Sequence, residues 1–175
     1  MKFEARHVFA ATLEEIEASF VDERYASFLL QHHPSVQAIQ VLEVRLQHTR
    51  LLRRVRCLTK PVIQTIGPKK VEPGWFSFVA YSTYDFETKV LHFCNEPDNK
   101  HVRSMFSNQG EFQFSALGAQ TERIASGNIS LCLPKRFRLL APVGEYLIRR
   151  EGLKILSGEI PVMERFVREV LRPPP

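Results

Sequence analysis

Apolar and polar residues alternate over the first residues of the chain. Phe3, Ala5, His7 and Phe9 share one side of this pattern, while the residues at even positions are mostly charged. A strand with one buried face has this period of two, because successive side chains point to opposite faces of a sheet. The pattern therefore predicts a half-buried strand over residues 2–10.

Two short helices are predicted after that strand. Thr12 and Glu15 have the spacing of a capping box, in which each side chain bonds to the other residue's backbone N–H. The apolar residues that follow recur at helical spacing. A second helix is predicted from about Asp22, and it must end before Pro34 because the residue preceding a proline avoids the helical region.

The middle of the chain shows the alternation typical of strands joined by short polar turns. Six strands are predicted there, over residues 36–48, 51–59, 75–85, 89–96, 102–116 and 120–133. The one long connection, residues 60–74, contains three prolines and two glycines. We expect a short helical turn around Val62–Ile66 and a functional role for the loop, because long loops inside compact domains often have one.

The turn near Glu87 and Thr88 decides which side chains of two central strands share a face. A turn of two or four residues sets the more apolar group on one face, which we take as the inward one. That group comprises Phe78, Ala80, Ser82, Tyr84, Leu91, Phe93 and Asn95. A turn of three residues would instead place His92 and Cys94 with Phe78.

After Pro134 the pattern becomes that of a long helix reaching about Leu171. Apolar residues recur at intervals of three and four, as on a buried helix face, at Leu140, Val143, Leu147, Leu156, Ile160, Met163, Val167 and Val170. Pro161 is expected to kink this helix or to start a new one. The predicted sheet is the one apolar surface on which such a helix can lie.

Composition excludes several classes of protein. The chain has 175 residues, of which 44% are hydrophobic and 25% charged, so it is neither disordered nor collagen-like. It contains no apolar run long enough to span a bilayer. The charged N-terminus contains no signal-peptide core, so we expect a cytoplasmic protein with one domain over residues 1–172 and a disordered proline tail at 173–175.

The charged residues and the cysteines indicate no catalytic motif. The net charge is +5, with basic clusters at Arg50, Arg53, Arg54 and Arg56 and at Lys135, Arg136 and Arg138. We interpret both clusters as solvated faces and expect no nucleic acid partner, because aromatic residues for base stacking are not interleaved with them. The spacing of the three cysteines and of His32 and His33 fits no metal site, and we expect no cofactor.

The order β-α-α-β-β-β-β-β-β-α resembles the START-like helix-grip fold of the SRPBCC superfamily. Three stretches strengthen the resemblance, namely HVFA leading into TLEEI at 7–16, GWFSF with YSTYD at 74–85, and GNISL leading to GEYLI at 127–148. They are similar to an uncharacterised bacterial START-like family and, more weakly, to the eukaryotic PRELI phospholipid-transfer domains. The resemblance implies an α+β fold in which a curved antiparallel sheet of six or seven strands wraps around a long C-terminal helix.

The resemblance also implies a cavity between sheet and helix, and hence the leading hypothesis of binding, or binding with transport, of a hydrophobic or amphipathic small molecule or lipid. The predicted lining is Phe78, Ser82, Tyr84, Leu91, Phe93, Leu147, Leu156 and Met163, with Ser82 and Tyr84 as polar groups. An anionic headgroup would meet Lys69, Lys70, Lys135, Arg136 and Arg138 at the mouth.

Two other hypotheses stay open. A polyketide cyclase or dehydratase-type enzyme would need an acid–base group such as His92 or Tyr81 inside the cavity. A non-catalytic interaction module would have a filled core and act through its surface.

Overall fold

The structure is a computed structural model that describes residues 1–61, 65–66, 69–70, 72–132, 139 and 141–172. Its main element is a seven-stranded sheet with the order β1-β9-β8-β7-β6-β3-β2, and every neighbouring pair is antiparallel. The strands are β1 Lys2–Phe9, β2 Val36–Gln47, β3 Arg50–Thr59, β6 Ser77–Asp85, β7 Val90–Pro97, β8 Phe106–Leu117 and β9 Gln120–Leu131. A separate two-stranded pair joins β4 Thr65–Ile66 to β5 Lys69–Lys70.

The described residues form four α-helices beside the sheet. They are α1 Leu13–Val21, α2 Arg24–His32, α3 Lys100–Arg103 and α4 Ala141–Phe166. A 3-10 turn, Pro73–Phe76, precedes β6, and a π-helical turn, Val167–Leu171, extends α4. The curved antiparallel sheet, the long C-terminal helix and the two short helices after β1 confirm the predicted helix-grip arrangement.

The capping box at the start of α1 is confirmed. The Thr12 side-chain oxygen accepts a hydrogen bond from the backbone N–H of Glu15 at 3.4 Å, and the Glu15 carboxylate accepts one from the backbone N–H of Thr12 at 2.9 Å. These two bonds satisfy backbone donors that the first turn of a helix leaves without partners.

Two local expectations differ from the structure. β8 begins at Phe106 rather than at 102, because the Asn99 side chain accepts from the backbone N–H of His101 and Val102 and so starts α3. The described part of the predicted helical turn, Thr65–Ile66, is extended. Of the two alternatives for Pro161, the structure excludes the start of a new helix, because Pro161 lies inside α4, and the kink stays a prediction.

The register of β6 against β7 confirms the predicted inward face. Ser82 lies opposite Phe93, Tyr84 opposite Leu91, and Thr83 opposite His92. Since directly opposed residues of antiparallel strands point to the same side, His92 lies on the outer face of the sheet, away from Ser82 and Tyr84.

One half of the space between sheet and α4 is tightly packed. The closed half, as we call it, is built around Phe9, Leu51, Tyr84, Phe114 and Phe166, each at most 4% exposed. α1 and α2 cover it, and its aromatic rings meet edge to face. It supplies most of the fully buried apolar surface, which is the main favourable contribution to folding.

The other half is less completely buried. The buried residues of α4 are Val162, Met163 and Phe166, all in its C-terminal half, whereas none is buried in its earlier turns. We call the region between residues 145–156 of α4 and the inner face of the sheet the open half. Some sheet residues that face it, such as Phe78, are also only half-buried.

The capping box provides a test of the local fold. Thr12→Ala should lower the free energy of unfolding by about 1 kcal/mol, because the first turn of α1 loses its side-chain acceptor. Urea denaturation measures the difference, with Thr88→Ala as a control at an exposed turn position. Equal losses in the two variants would contradict a stabilising role for the cap.

Candidate functional site

A row of directly opposed residues crosses the whole sheet and faces the open half. Its members, in strand order from β1 to β2, are Phe3, Gly127, Gly110, Phe93, Ser82, Arg53 and Val44. Two consecutive members, Gly127 and Gly110, have no side chain, and the Phe3 ring lies over Gly127, where a Cβ would be 2.7 Å from it. Gly110 has no space for a side chain in any case, because a Cβ there would lie 2.1 Å from the Ser126 carbonyl oxygen.

The predicted basic cluster on β3 is divided between the two faces. Arg50, Arg54 and Arg56 are exposed on the outer face and form ion pairs with Asp85, Glu43 and Asp98. Arg53 is different, because it lies opposite Ser82 on the inner face and is half-buried. The interpretation of this cluster as a solvated face is therefore wrong for Arg53.

Arg123 of β9 connects the sheet to α4. Its side chain is 2% exposed, and its guanidinium donates to Glu159 at 2.7 Å and to the carbonyl oxygen of Leu156 at 3.0 Å. The guanidinium carbon also lies 5.0 Å from the ring centres of Phe9 and Phe112, close enough for favourable cation–π contact.

Two titratable groups lie beside this ion pair. His7 Nδ1 is 3.4 Å from Arg123, and burial together with the charge of that arginine lowers the pKa of His7, while Glu159 opposes the shift. Tyr25 of α2 is 4% exposed. Burial raises the pKa of Tyr25 well above its ordinary value, and the negative charge of Glu159 raises it further.

Several buried polar atoms of the interior have no hydrogen-bond partner in the described part of the chain. They are Tyr25 Oη, Arg53 Nε, Asn108 Oδ1, Arg123 Nε and Arg149 Nε. Arg149 lies seven residues before Leu156, which places it on the same face of α4. Unbonded polar groups are uncommon in protein interiors, so this concentration marks the interior as a candidate binding site.

Two depressions follow the cross-strand row. The larger, about 820 Å³, includes Phe3, Phe93, Gly110 and Gly127 of the row, with Arg149 as its one α4 residue. The smaller, about 340 Å³, includes Arg53, Ser82 and Phe93. Most of the other lining side chains, among them His92, belong to the outer face by register, so both depressions open largely on that face.

The predicted lining residues are divided between the two halves. Phe78, Ser82, Phe93, Leu147 and Leu156 are half-buried around the open half. Tyr84, Met163 and Leu91 instead belong to the closed half or pack against it. The Tyr84 hydroxyl donates to Glu17 at 2.7 Å, and burial with that carboxylate raises its pKa. A ligand contact at any of these residues stays a prediction.

The described structure does not place the predicted headgroup residues at the interior site. Lys69 and Lys70 form β5, in the separate pair with β4. Lys135, Arg136 and Arg138, like the tail at 173–175, lie outside the described residues.

The acid–base candidates from the sequence lie on the outer face. His92 is 3.5 Å from Glu111, with both side chains more than half exposed, and Tyr81 is also exposed. The residues that sequence reasoning missed are Tyr25, Arg53, Arg123, Arg149 and Glu159. For Arg53 a signal was present, because it alternates with Leu51, Val55 and Cys57 and so shares their apolar face.

Within the described ranges, no three His, Cys, Asp or Glu side chains are arranged to hold a metal ion. Cys57, Cys94 and Cys132 are free, and burial raises the pKa of the Cys57 thiol to about 11. No described helix is both long enough and apolar enough to cross a membrane.

No protein-family model matches the chain, and no curated protein sequence matches it. Several solved structures are similar to the chain. The Zhui aromatase/cyclase of a Streptomyces species has a TM-score of 0.65 and 10% identity, over 98% of this chain and 96% of that chain. A START superfamily protein from Mycobacterium smegmatis has a TM-score of 0.58 and 17% identity, over 97% and 98%. Norcoclaurine synthase from Thalictrum flavum has a TM-score of 0.62 and 11% identity, over 97% and 94%.

The chain has the START-like helix-grip fold. At these identities the likeness shows the fold alone, and the START-like fold occurs here in proteins whose names indicate different activities.

The ion pair between Arg123 and Glu159 should stabilise this START-like fold. Arg123→Met should lower the free energy of unfolding by up to about 3 kcal/mol, the low end for a broken buried pair, because Glu159 remains 25% exposed. The double variant with Glu159→Met should lose less than the sum of the two single variants. Additive losses in denaturation experiments would contradict the coupling.

The lowered pKa of His7 predicts how stability depends on pH. The unfolded chain binds a proton at His7 near pH 6.5, whereas the folded chain binds it only at lower pH. Stability should therefore fall as the pH drops below 6.5, towards the folded-state pKa. His7→Gln should lose less stability than the wild type between about pH 7.5 and about pH 5.5 in urea denaturation. Identical losses would show that His7 does not titrate differently on folding.

Proposed function

We propose that this protein binds a hydrophobic or amphipathic small molecule in the open half. The observation that carries the proposal is the uneven burial along α4. Its C-terminal half includes three buried residues and packs into the closed half, but its earlier turns include none. Leu147 and Leu156 nevertheless have the spacing of an apolar helix face.

A ligand in the open half would cover apolar side chains that remain half-exposed in the folded protein. Phe78 and Phe93 of the sheet and Leu147 of α4 are all half-buried there. Burial of apolar surface contributes about 25 cal/mol per Å², so an apolar molecule between them would gain affinity from both walls. Ligand sites are commonly concave and apolar with a few polar groups, and here Ser82 and Arg53 are the polar members of the wall.

An enzyme of the cyclase type is the second candidate. One observation favours it, namely that His7, Tyr25 and Glu159 lie beside Arg123, since the side chains of these three residue types can act as general acids and bases. One of the structurally similar proteins is named as an aromatase/cyclase. Chemical change of a bound aromatic polyketide, lost in His7→Gln although binding remains, would support this second candidate.

The binding proposal is tested by filling the open half with a larger side chain. Nile red, a neutral apolar dye, should bind the wild type with increased fluorescence. Ser82→Phe should weaken binding by about tenfold or more, because the ring would occupy the space beside Phe93. Thermal denaturation should show that this variant is no less stable, since the ring enters unfilled space.

Thr83→Phe is the matched comparison, because Thr83 lies next to Ser82 but on the outer face. It should bind Nile red like the wild type. Equal binding by both variants would contradict an interior site, and loss in Thr83→Phe alone would place the dye on the outer face. Native mass spectrometry of the purified protein, followed by denaturing extraction, would then identify the class of any molecule that remains bound.

A further inference from the structure

The inner face of the sheet includes an arginine without a counter-ion. Arg53 lies between Val44 and Ser82 in the cross-strand row, and its Nε is buried without a hydrogen bond. The three exposed arginines of the same strand each form an ion pair, but Arg53 forms none within the described part of the chain. Arg53 is therefore the arginine of β3 that is partly removed from water without gaining an ion pair in the described part of the chain.

The acidic groups of the interior already have partners. Glu159 pairs with Arg123 at 2.7 Å. Glu145 accepts from the backbone N–H of Leu131 at 3.1 Å and lies 3.8 Å from the N-terminal ammonium. Arg53 is near enough to Glu159 and Tyr25 for their charges to act on its pKa, which burial lowers, but it remains protonated as arginine does in proteins.

Tyr25 does not share this lack of an acceptor. Its hydroxyl makes no hydrogen bond of normal geometry in the described part of the chain, but the Glu159 carboxylate is a neighbouring acceptor whose charge raises the pKa of Tyr25. Arg53 has a buried Nε and no ion pair in the described part of the chain. Burying a charged group without a partner costs free energy, so an arginine in this state fits an acceptor that arrives with a ligand.

We propose that Arg53 binds the anionic headgroup of an amphipathic ligand, a carboxylate or a phosphate, whose apolar part lies in the open half. This inference rests on the proposed binding function and assigns the chemical class of the ligand. A guanidinium presents parallel N–H donors that match two oxygens of a carboxylate or phosphate. In this proposal the headgroup lies inside the fold, whereas the sequence predicted that basic residues at the mouth of the cavity would bind it.

The test compares three molecules with the same twelve-carbon chain. Laurate, dodecyl phosphate and dodecanol are titrated against the wild type by displacement of Nile red. Laurate or dodecyl phosphate should bind more tightly than dodecanol, and the comparison of the two anions shows which headgroup the site prefers. Arg53→Gln should weaken binding of the preferred anion by about tenfold or more while leaving dodecanol unchanged.

Arg56→Gln is the matched control. Arg56 belongs to the same strand but is exposed on the outer face, where it pairs with Asp98 at 3.2 Å. It should bind all three molecules like the wild type.

A stability measurement separates binding from a structural role. Arg53→Gln should leave the ligand-free protein at least as stable as the wild type, because the replaced guanidinium has no ion pair to lose. If Arg53 instead served the fold, this variant would unfold at lower urea concentration and would lose dodecanol and laurate binding together. That result would overturn the assignment.

The remaining outcomes distinguish the two proposals. If none of the three molecules and no Nile red binds the wild type, the binding function itself fails. If dodecanol binds as tightly as both anions, or if Arg53→Gln retains the preference for an anion, the binding function stands and the headgroup assignment fails.

Discussion

The packing of α4 against the sheet depends on one buried guanidinium. Arg123 is held by Glu159 and by the Leu156 carbonyl oxygen on α4, and it lies between the aromatic rings of Phe9 and Phe112 on the sheet. A charge this deeply buried is tolerated only when its hydrogen bonds are made, so α4 must approach β9 at this level. On one side of Arg123 lies the closed half, and on the other the helix and the sheet leave the open half.

Under the proposed function, stability and binding belong to different parts of the same interior. The closed half consists of close-packed aromatic and aliphatic side chains covered by α1 and α2. A ligand site there would need a cavity, which would cost stability. The walls of the open half are less buried, and in the proposal their apolar and polar side chains are the ones that contact a ligand. The two demands would then be met at different positions along a single helix.

The sequence predicted the strands and their inward face well, because alternation along each strand and the turn near Glu87 determine side-chain direction directly. It predicted the role of individual residues less well. Tyr84 was expected as a polar group of the cavity, but its hydroxyl bonds to Glu17, and the position of α1 over β6 is a tertiary property that no local pattern contains. Arg53 was assigned to a basic cluster by proximity in sequence, although its alternation with Leu51 and Val55 placed it on the apolar face.

Arg123 and Arg53 show how a buried arginine can be interpreted from its partners. Both point inward from the sheet, and both are more costly to bury than the apolar residues beside them. For Arg123 the cost is offset within the chain, since an acid and a carbonyl group bind it, and its role in the described structure is complete. Arg53 forms no such ion pair among the described residues. A buried arginine without an ion pair is electrostatically complementary to an anion, and under the proposed function that complementarity favours an acidic amphipathic molecule over a purely apolar one.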